Sequence, residues 1–166
     1  FLAFEYTRWL GDVFDCLAPA GTSLDTVHLG GGALTLARYV MATRPASAQL
    51  VFEIDAALID LVRRTMPMAK GRRPRVRITD AAAGLGGVRE SAWDVVVRDA
   101  FRDAVVPEHL RTVESALAAR RALRPGGVYL MNIADRSPFK ATGEELAALL
   151  EVFPDVAVIS EPAVLR

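Results

Sequence analysis

The chain has 166 residues and a mass of 18.0 kDa, with 52% hydrophobic residues, a mean hydropathy of +0.24 and a formal charge of zero at pH 7. This length and apolar content exclude a disordered segment and allow one sizeable core, while the balanced charge argues against nucleic acid or an anionic membrane surface as partner. The single cysteine, Cys16, excludes an internal disulfide and fits a reducing cytoplasm, and no apolar run approaches the roughly 18 residues of a membrane span.

Tyr6, Leu10, Val13, Phe14 and Leu17 recur at helical spacing and predict a helix over about Phe4 to Leu17, closed by Pro19-Ala20-Gly21. A first strand is expected at Asp25–Leu29. The knot Gly30-Gly31-Gly32 follows, then a helix from Ala33 that stops before Arg44-Pro45, because the residue before a proline avoids helical angles. Gln49–Ile54 reads as a second strand, with Asp55 as N-cap of a helix through Arg64. Arg75–Thr79 and Trp93–Arg98 read as the third and fourth strands. A helix is expected from Pro107 to Leu123, closed by Arg124-Pro125-Gly126-Gly127. A fifth strand at Val128–Ile133, a helix at Gly143–Val152 and a sixth strand near Val156–Ser160 complete the pass. Alternating strands and helices predict an α/β fold, a Rossmann-like, mostly parallel sheet with helices on both faces, in a single domain over 1–166.

Ligands of such sheets bind beyond the carboxyl ends of the strands. There the sequence places Gly30, Gly31 and Gly32, then Glu53 and Asp55, then Asp80, then Asp99. Glycines let the backbone turn sharply and approach a ligand closely. An acid about 20 residues later can accept ribose hydroxyls, which nominates Glu53. Asp80 is placed for an adenine amino group, and Asp99 for the reacting end of the ligand. One acid after each of three successive strands is the layout for an adenosyl sulfonium. His28 reads as a satisfied, semi-buried histidine and His109 as a surface residue. Arg63, Arg64, Arg72, Arg73, Arg75 and Arg77 read as a solvated basic face. No Cys/His cluster has metal-site spacing, so no metal is expected.

The segments HLGGGALTLARYV, VFEID, RITDAAAGL, WDVVVRDAF and LRPGGVYLMNI together resemble the S-adenosylmethionine-dependent methyltransferase fold. More narrowly, they are similar to the polyamine aminopropyltransferases, the spermidine synthases. The resemblance runs from about Phe4 to Ile133. It implies that Gly30, Gly31 and Gly32 line the donor site, that Glu53 binds ribose, that Asp80 and Ala81 read adenine, and that Asp99 is the catalytic acid. Tyr6 and Asp103 become substrate-binding candidates. The donor would be decarboxylated S-adenosylmethionine or S-adenosylmethionine itself. The acceptor would be a small-molecule amine such as putrescine, with no nucleic acid or membrane partner, and the assembly a homodimer. The family's N-terminal β-hairpins and last strand are expected to be missing from this sequence. Two departures stand out. Ala33 replaces the acid of the family's glycine loop, and Arg102 replaces an acid three residues past the catalytic one. These keep two other readings open: a methyltransferase acting on another small molecule, and a non-catalytic member of the fold.

Overall fold

The computed structural model describes residues 2–68, 71, 73–103 and 105–161. Its elements are α1 (Glu5–Leu17), β1 (Thr26–Leu29), α2 (Thr35–Thr43), β2 (Gln49–Glu53), α3 (Ala56–Thr65), β3 (Arg75–Ile78), α4 (Ala81–Gly86), β4 (Trp93–Arg98), α5 (Val113–Ala122), β5 (Leu123–Met131) and α6 (Lys140–Leu150). A 3₁₀ turn at Glu108–Leu110 precedes α5. The five strands form one sheet in the order β3-β2-β1-β4-β5, with every neighbouring pair parallel. The chain thus has the α/β, Rossmann-like architecture that its alternating pattern predicts.

Side chains alternate across the strands and sort into two layers. On one face Val27, Leu29, Leu50, Phe52 and Val96 pack with Leu85 of α4 and with Ala119 and Ala122 of α5. On the other, Val95 and Val97 pack with Leu10 and Phe14 of α1 and Leu36 and Val40 of α2, while Val51 meets Ile59 and Val62 of α3. Fully burying a side chain of this size contributes about 1.5–3 kcal/mol, so these two layers supply the main driving force for the fold. Arg44, wholly buried, fastens α1 to the end of α2: its Nη2 donates to the carbonyls of Phe14 (2.9 Å) and Ala18 (2.5 Å) and pairs with Asp15. This fixes the helix that carries Tyr6.

Several sequence expectations are corrected. No helix runs unbroken from Pro107 to Leu123. The 3₁₀ turn ends near Arg111, and α5 begins anew with Thr112 capping the amide of Ser115. The expected stop at Arg124-Pro125-Gly126-Gly127 lies inside β5. Trp93 pairs with Leu123 and Val95 with Val128, so two steps along β4 oppose five along β5 and the surplus bulges outward. Residues 156–160 form no strand, because no strand edge pairs with them; Val158 and Ile159 are exposed instead. The short α4, held by an Asp80 cap, had no apolar period long enough to be read from sequence. The arginines at 63, 64, 73, 75 and 77 are exposed, as expected of a solvated face; Arg72 lies outside the described residues.

Candidate functional site

The carboxyl ends of β1 and β4 meet at the glycine knot. Gly30 has φ +96°, and a Cβ added there would lie 2.3 Å from the carbonyl oxygen of Asp99. Only glycine satisfies both the backbone angle and the close approach. The knot therefore abuts the residue after β4, and the turn is completed by Leu34, in the left-handed region at φ 60°, before α2 begins.

A cleft of about 190 Å³ opens between this loop, α1 and the sheet. Tyr6, Gly30, Gly31, Gly32, Ala33 and Asp99 all line it, with Phe4 and Thr7 from the start of α1 and His28 and Val97 from the strands. Asp99 is gripped on both oxygens. The Tyr6 hydroxyl donates to Oδ2 (3.2 Å) and the Asn132 Nδ2 donates to Oδ1 (2.9 Å). Burial, reinforced by the Asp99 charge and hydrogen bond, pushes the Tyr6 phenol up to about 12, so Tyr6 keeps its proton and acts as donor. Each carboxylate oxygen keeps a lone pair for a further donor. Asn132 is missing from the sequence reading. It sits just past β5, and no local pattern announces a contact made 33 residues away.

His28 forms the buried floor of the cleft. Its Nε2 lies 3.0 Å from Gln49 Oε1, while Gln49 Nε2 donates to Ala37 O. That orientation leaves Gln49 only an acceptor to offer, so His28 carries its proton on Nε2. Burial outweighs the Gln49 hydrogen bond and lowers the imidazole to about 4, leaving it neutral near pH 7. The histidine is satisfied, as read from sequence, but fully rather than partly buried.

Glu53 reaches the knot from β2. Its Oε2 accepts the amides of Gly31 (2.8 Å) and Gly32 (2.9 Å), and its Oε1 accepts the amide of Asp55 (3.0 Å). Burial raises its carboxyl, but the backbone amides together outweigh burial and leave it below the usual carboxylate range. Asp55 caps α3 through the amide of Leu58, as its position predicts.

Asp80 stands after β3, apart from the residues lining the cleft. Its Oδ1 accepts the amides of Ala82 (2.9 Å) and Ala83 (3.1 Å), and its Oδ2 meets His109 Nε2 at 2.9 Å. Burial raises the Asp80 carboxyl, yet the Ala83 amide and His109 prevail and lower it. His109, read from sequence as a plain surface residue, is half-exposed but holds this partner from 29 residues away. Ala81 opens α4 and is buried in the core beside Leu85. Asp103 lies in an exposed turn at φ 50°, between the paired residues Arg102 and Val105, and does not line the cleft. The structure thus joins Tyr6, the three glycines and Asp99 in one cleft, links Glu53 to it through the loop amides, and leaves Asp80 with Ala81 beyond and Asp103 aside.

This constellation can be set beside known proteins. The spermine/spermidine synthase domain profile matches residues 4–144, which is most of the chain. The chain belongs to the spermine/spermidine synthase family. It is 28% identical over 129 residues to the polyamine aminopropyltransferase of Vibrio vulnificus, covering 76% of this chain and 42% of that protein. It is similar to the crystal structure of a probable spermidine synthase from Corynebacterium glutamicum, at 37% identity and a TM-score of 0.89, covering 99% of this chain and 60% of that one. The fold also matches human methyltransferase-like protein 13, solved in complex with SAH, at 21% identity and a TM-score of 0.83, covering 95% of this chain and 77% of that one. The chain therefore spans less than two thirds of the family relatives it matches. Among the described residues, no helix is long and apolar enough to cross a membrane.

Proposed function

We propose that this chain transfers an aminopropyl group from decarboxylated S-adenosylmethionine to a small amine, with Asp99 as the proton acceptor. The observation that carries the reading is Asp99 itself. Its carboxylate faces a cleft walled by the glycine knot, with both oxygens fixed by Tyr6 and Asn132. Membership of the family and likeness to an aminopropyltransferase support the same reading.

The residues fit an adenosyl sulfonium. An added Cβ at Gly32 would meet nothing within 4 Å, so the loop leaves open space at that turn. Glu53 Oε1, the less committed of its two oxygens, is assigned to the ribose hydroxyls, and Asp80 Oδ2 with Ala81 to adenine. The sulfonium donor supplies an electrophilic carbon and a leaving group that departs as a neutral thioether, so no acid is needed there. The obstacle is the acceptor. An alkyl ammonium has a pKa near that of lysine, about 10.4, and must lose a proton before its nitrogen can attack. Asp99 attracts that cation and receives the proton. The C–N bond then forms as the C–S bond breaks. Such a base contributes roughly 10²–10⁴-fold to the rate.

One observation favours a second reading. Ala33 lines the cleft where the family's loop acid would help hold the donor's charged amino end, leaving Asp99 as the one carboxylate among the described lining residues. That suits a methyltransferase using S-adenosylmethionine itself. We assign a small molecule rather than nucleic acid or membrane as the partner, the cytoplasm as the location and a homodimer as the assembly; zero net charge supports the first, a lone cysteine the second, and likeness to the family the third. Calorimetry with methylthioadenosine, S-adenosylmethionine and its decarboxylated form tests the reading. Binding of methylthioadenosine together with preference for the decarboxylated donor is expected. Preference for S-adenosylmethionine establishes the methyltransferase reading, and no binding by any of the three overturns both.

A further inference from the structure

Arg98 ends β4, one residue before Asp99, and its side chain is wholly buried, on the face opposite the cleft. It pairs at 2.5 Å with Glu145 of α6, which is itself only 2% exposed. Arg111 supports the same carboxylate from the other side, its Nε donating to Glu145 Oε1 at 3.1 Å. Burying such a pair costs desolvation, and well-packed apolar residues in its place are often as stable or more so. Stability alone therefore gives a weak reason for this arrangement. What the guanidinium holds gives a better one. Its Nη1 donates to the carbonyl of Leu110 (2.9 Å), and its Nη2 to the carbonyl of Asn132 (3.3 Å). The Arg98 carbonyl also accepts the Asn132 amide (2.9 Å), so Asn132 is held at two points. Asn132 is the residue that grips Asp99, and Leu110 adjoins His109, the residue that grips Asp80.

We propose that the buried Arg98–Glu145 pair is a positioning device that sets both clamps, Asn132 on Asp99 and His109 on Asp80, from a single guanidinium. The planar fork of arginine suits this task, because it presents several donors in fixed directions to two separate carbonyls. Arg98 donates to neither acid; it acts through the backbone of Asn132 and of Leu110, the neighbour of His109. The geometric claim stands on the contacts of the free protein. Its consequence for turnover rests on the aminopropyl-transfer reading of Asp99.

The test uses nuclear magnetic resonance of the free, full chain, following the Asn132 side-chain amide and the His109 ring. Glu145→Gln keeps the shape and removes the charge. The double variant Arg98→Met with Glu145→Leu replaces the pair by apolar residues of similar size. In either folded variant both reporters should shift together, and turnover should fall about 10–100-fold, because sub-ångström misplacement of a reacting group is costly. The loss should appear in kcat rather than KM. A pair that merely anchors α6 would change the melting temperature while leaving the Asn132 and His109 signals in place, and that result overturns the proposal. Unfolding of both variants overturns it too, since the pair would then hold the fold and not the site. A wild-type chain without turnover refutes the function proposed above and leaves the resonance test intact.

Discussion

Asp99 and Asp80 both stand at the carboxyl edge of the sheet, after β4 and β3 with β1 and β2 between them, and they are held in opposite ways. Asp99 is gripped by Tyr6 and Asn132, 93 and 33 residues distant in sequence, and it faces a cleft with a buried floor. Asp80 spends one oxygen on the amides two and three residues ahead and offers the other to a half-exposed histidine. The first carboxylate is fixed by tertiary structure and the second by a local cap. A group that must meet a reacting atom within tenths of an ångström needs the first kind of support. A group that exchanges hydrogen-bond partners with an incoming ligand is served by the second.

Breaking the Asp99 end should therefore cost most. Gly30→Ala drives a Cβ into the Asp99 carbonyl at an unfavourable φ, and a loss of about 4 kcal/mol is expected in denaturant unfolding. Gly32→Ala, also at positive φ but in open space, should lose only about 1 kcal/mol. Equal losses at the two positions would show that the close approach to Asp99 is unimportant.

The floor beneath Asp99 gives a pH signature. The His28 imidazole is lowered from 6.5 to about 4 by burial. Above pH 6.5 both folded and unfolded chains are neutral there. Between 6.5 and 4 the unfolded chain binds a proton that the folded chain refuses, so stability falls as pH falls, by on the order of 3 kcal/mol in all. Unfolding midpoints measured across that window in the wild type and in His28→Gln should diverge, with the variant flatter. Parallel curves would mean that His28 is not the group responsible.

Smaller effects separate the two carboxylates. Asn132→Ala removes a charge-assisted hydrogen bond worth about 1.5–3 kcal/mol in favourable settings, and it should lower turnover while leaving methylthioadenosine affinity nearly unchanged. Asp80→Asn should do the reverse, weakening that affinity with little change in turnover of bound donor. The smallest effect is expected for His109→Gln. Its contact with Asp80 is half-exposed, so the change in stability should stay under about 0.5 kcal/mol by thermal unfolding. A larger loss would make the Asp80 end as rigid as the Asp99 end and erase the contrast.

The same contrast explains what could be read in the sequence. The strands, the knot and Asp55 were legible because a short apolar run, a run of glycines or a cap is written in adjacent residues. Glu53 and Asp99 were legible as acids at strand ends. Asn132, His109 and Arg98 were not, because each acquires its role from partners distant in sequence: Asp99 for Asn132, Asp80 for His109, and Leu110, Asn132 and Glu145 for Arg98. The misread segments have equally physical causes. Pro125-Gly126-Gly127 looks like a terminator but is carried as a bulge within β5. The apolar run at 156–159 fits a strand, yet a strand exists only where another edge pairs with it.

The role of Asp99 as proton acceptor can be tested by assaying Asp99→Asn with decarboxylated S-adenosylmethionine and putrescine, alongside methylthioadenosine affinity. The substitution keeps the size and planar shape of the group but removes the carboxylate that takes the proton. Product formation should fall by roughly 10²–10⁴-fold while methylthioadenosine binds as it does to the wild type. Unchanged product formation by a folded Asp99→Asn protein would contradict that role.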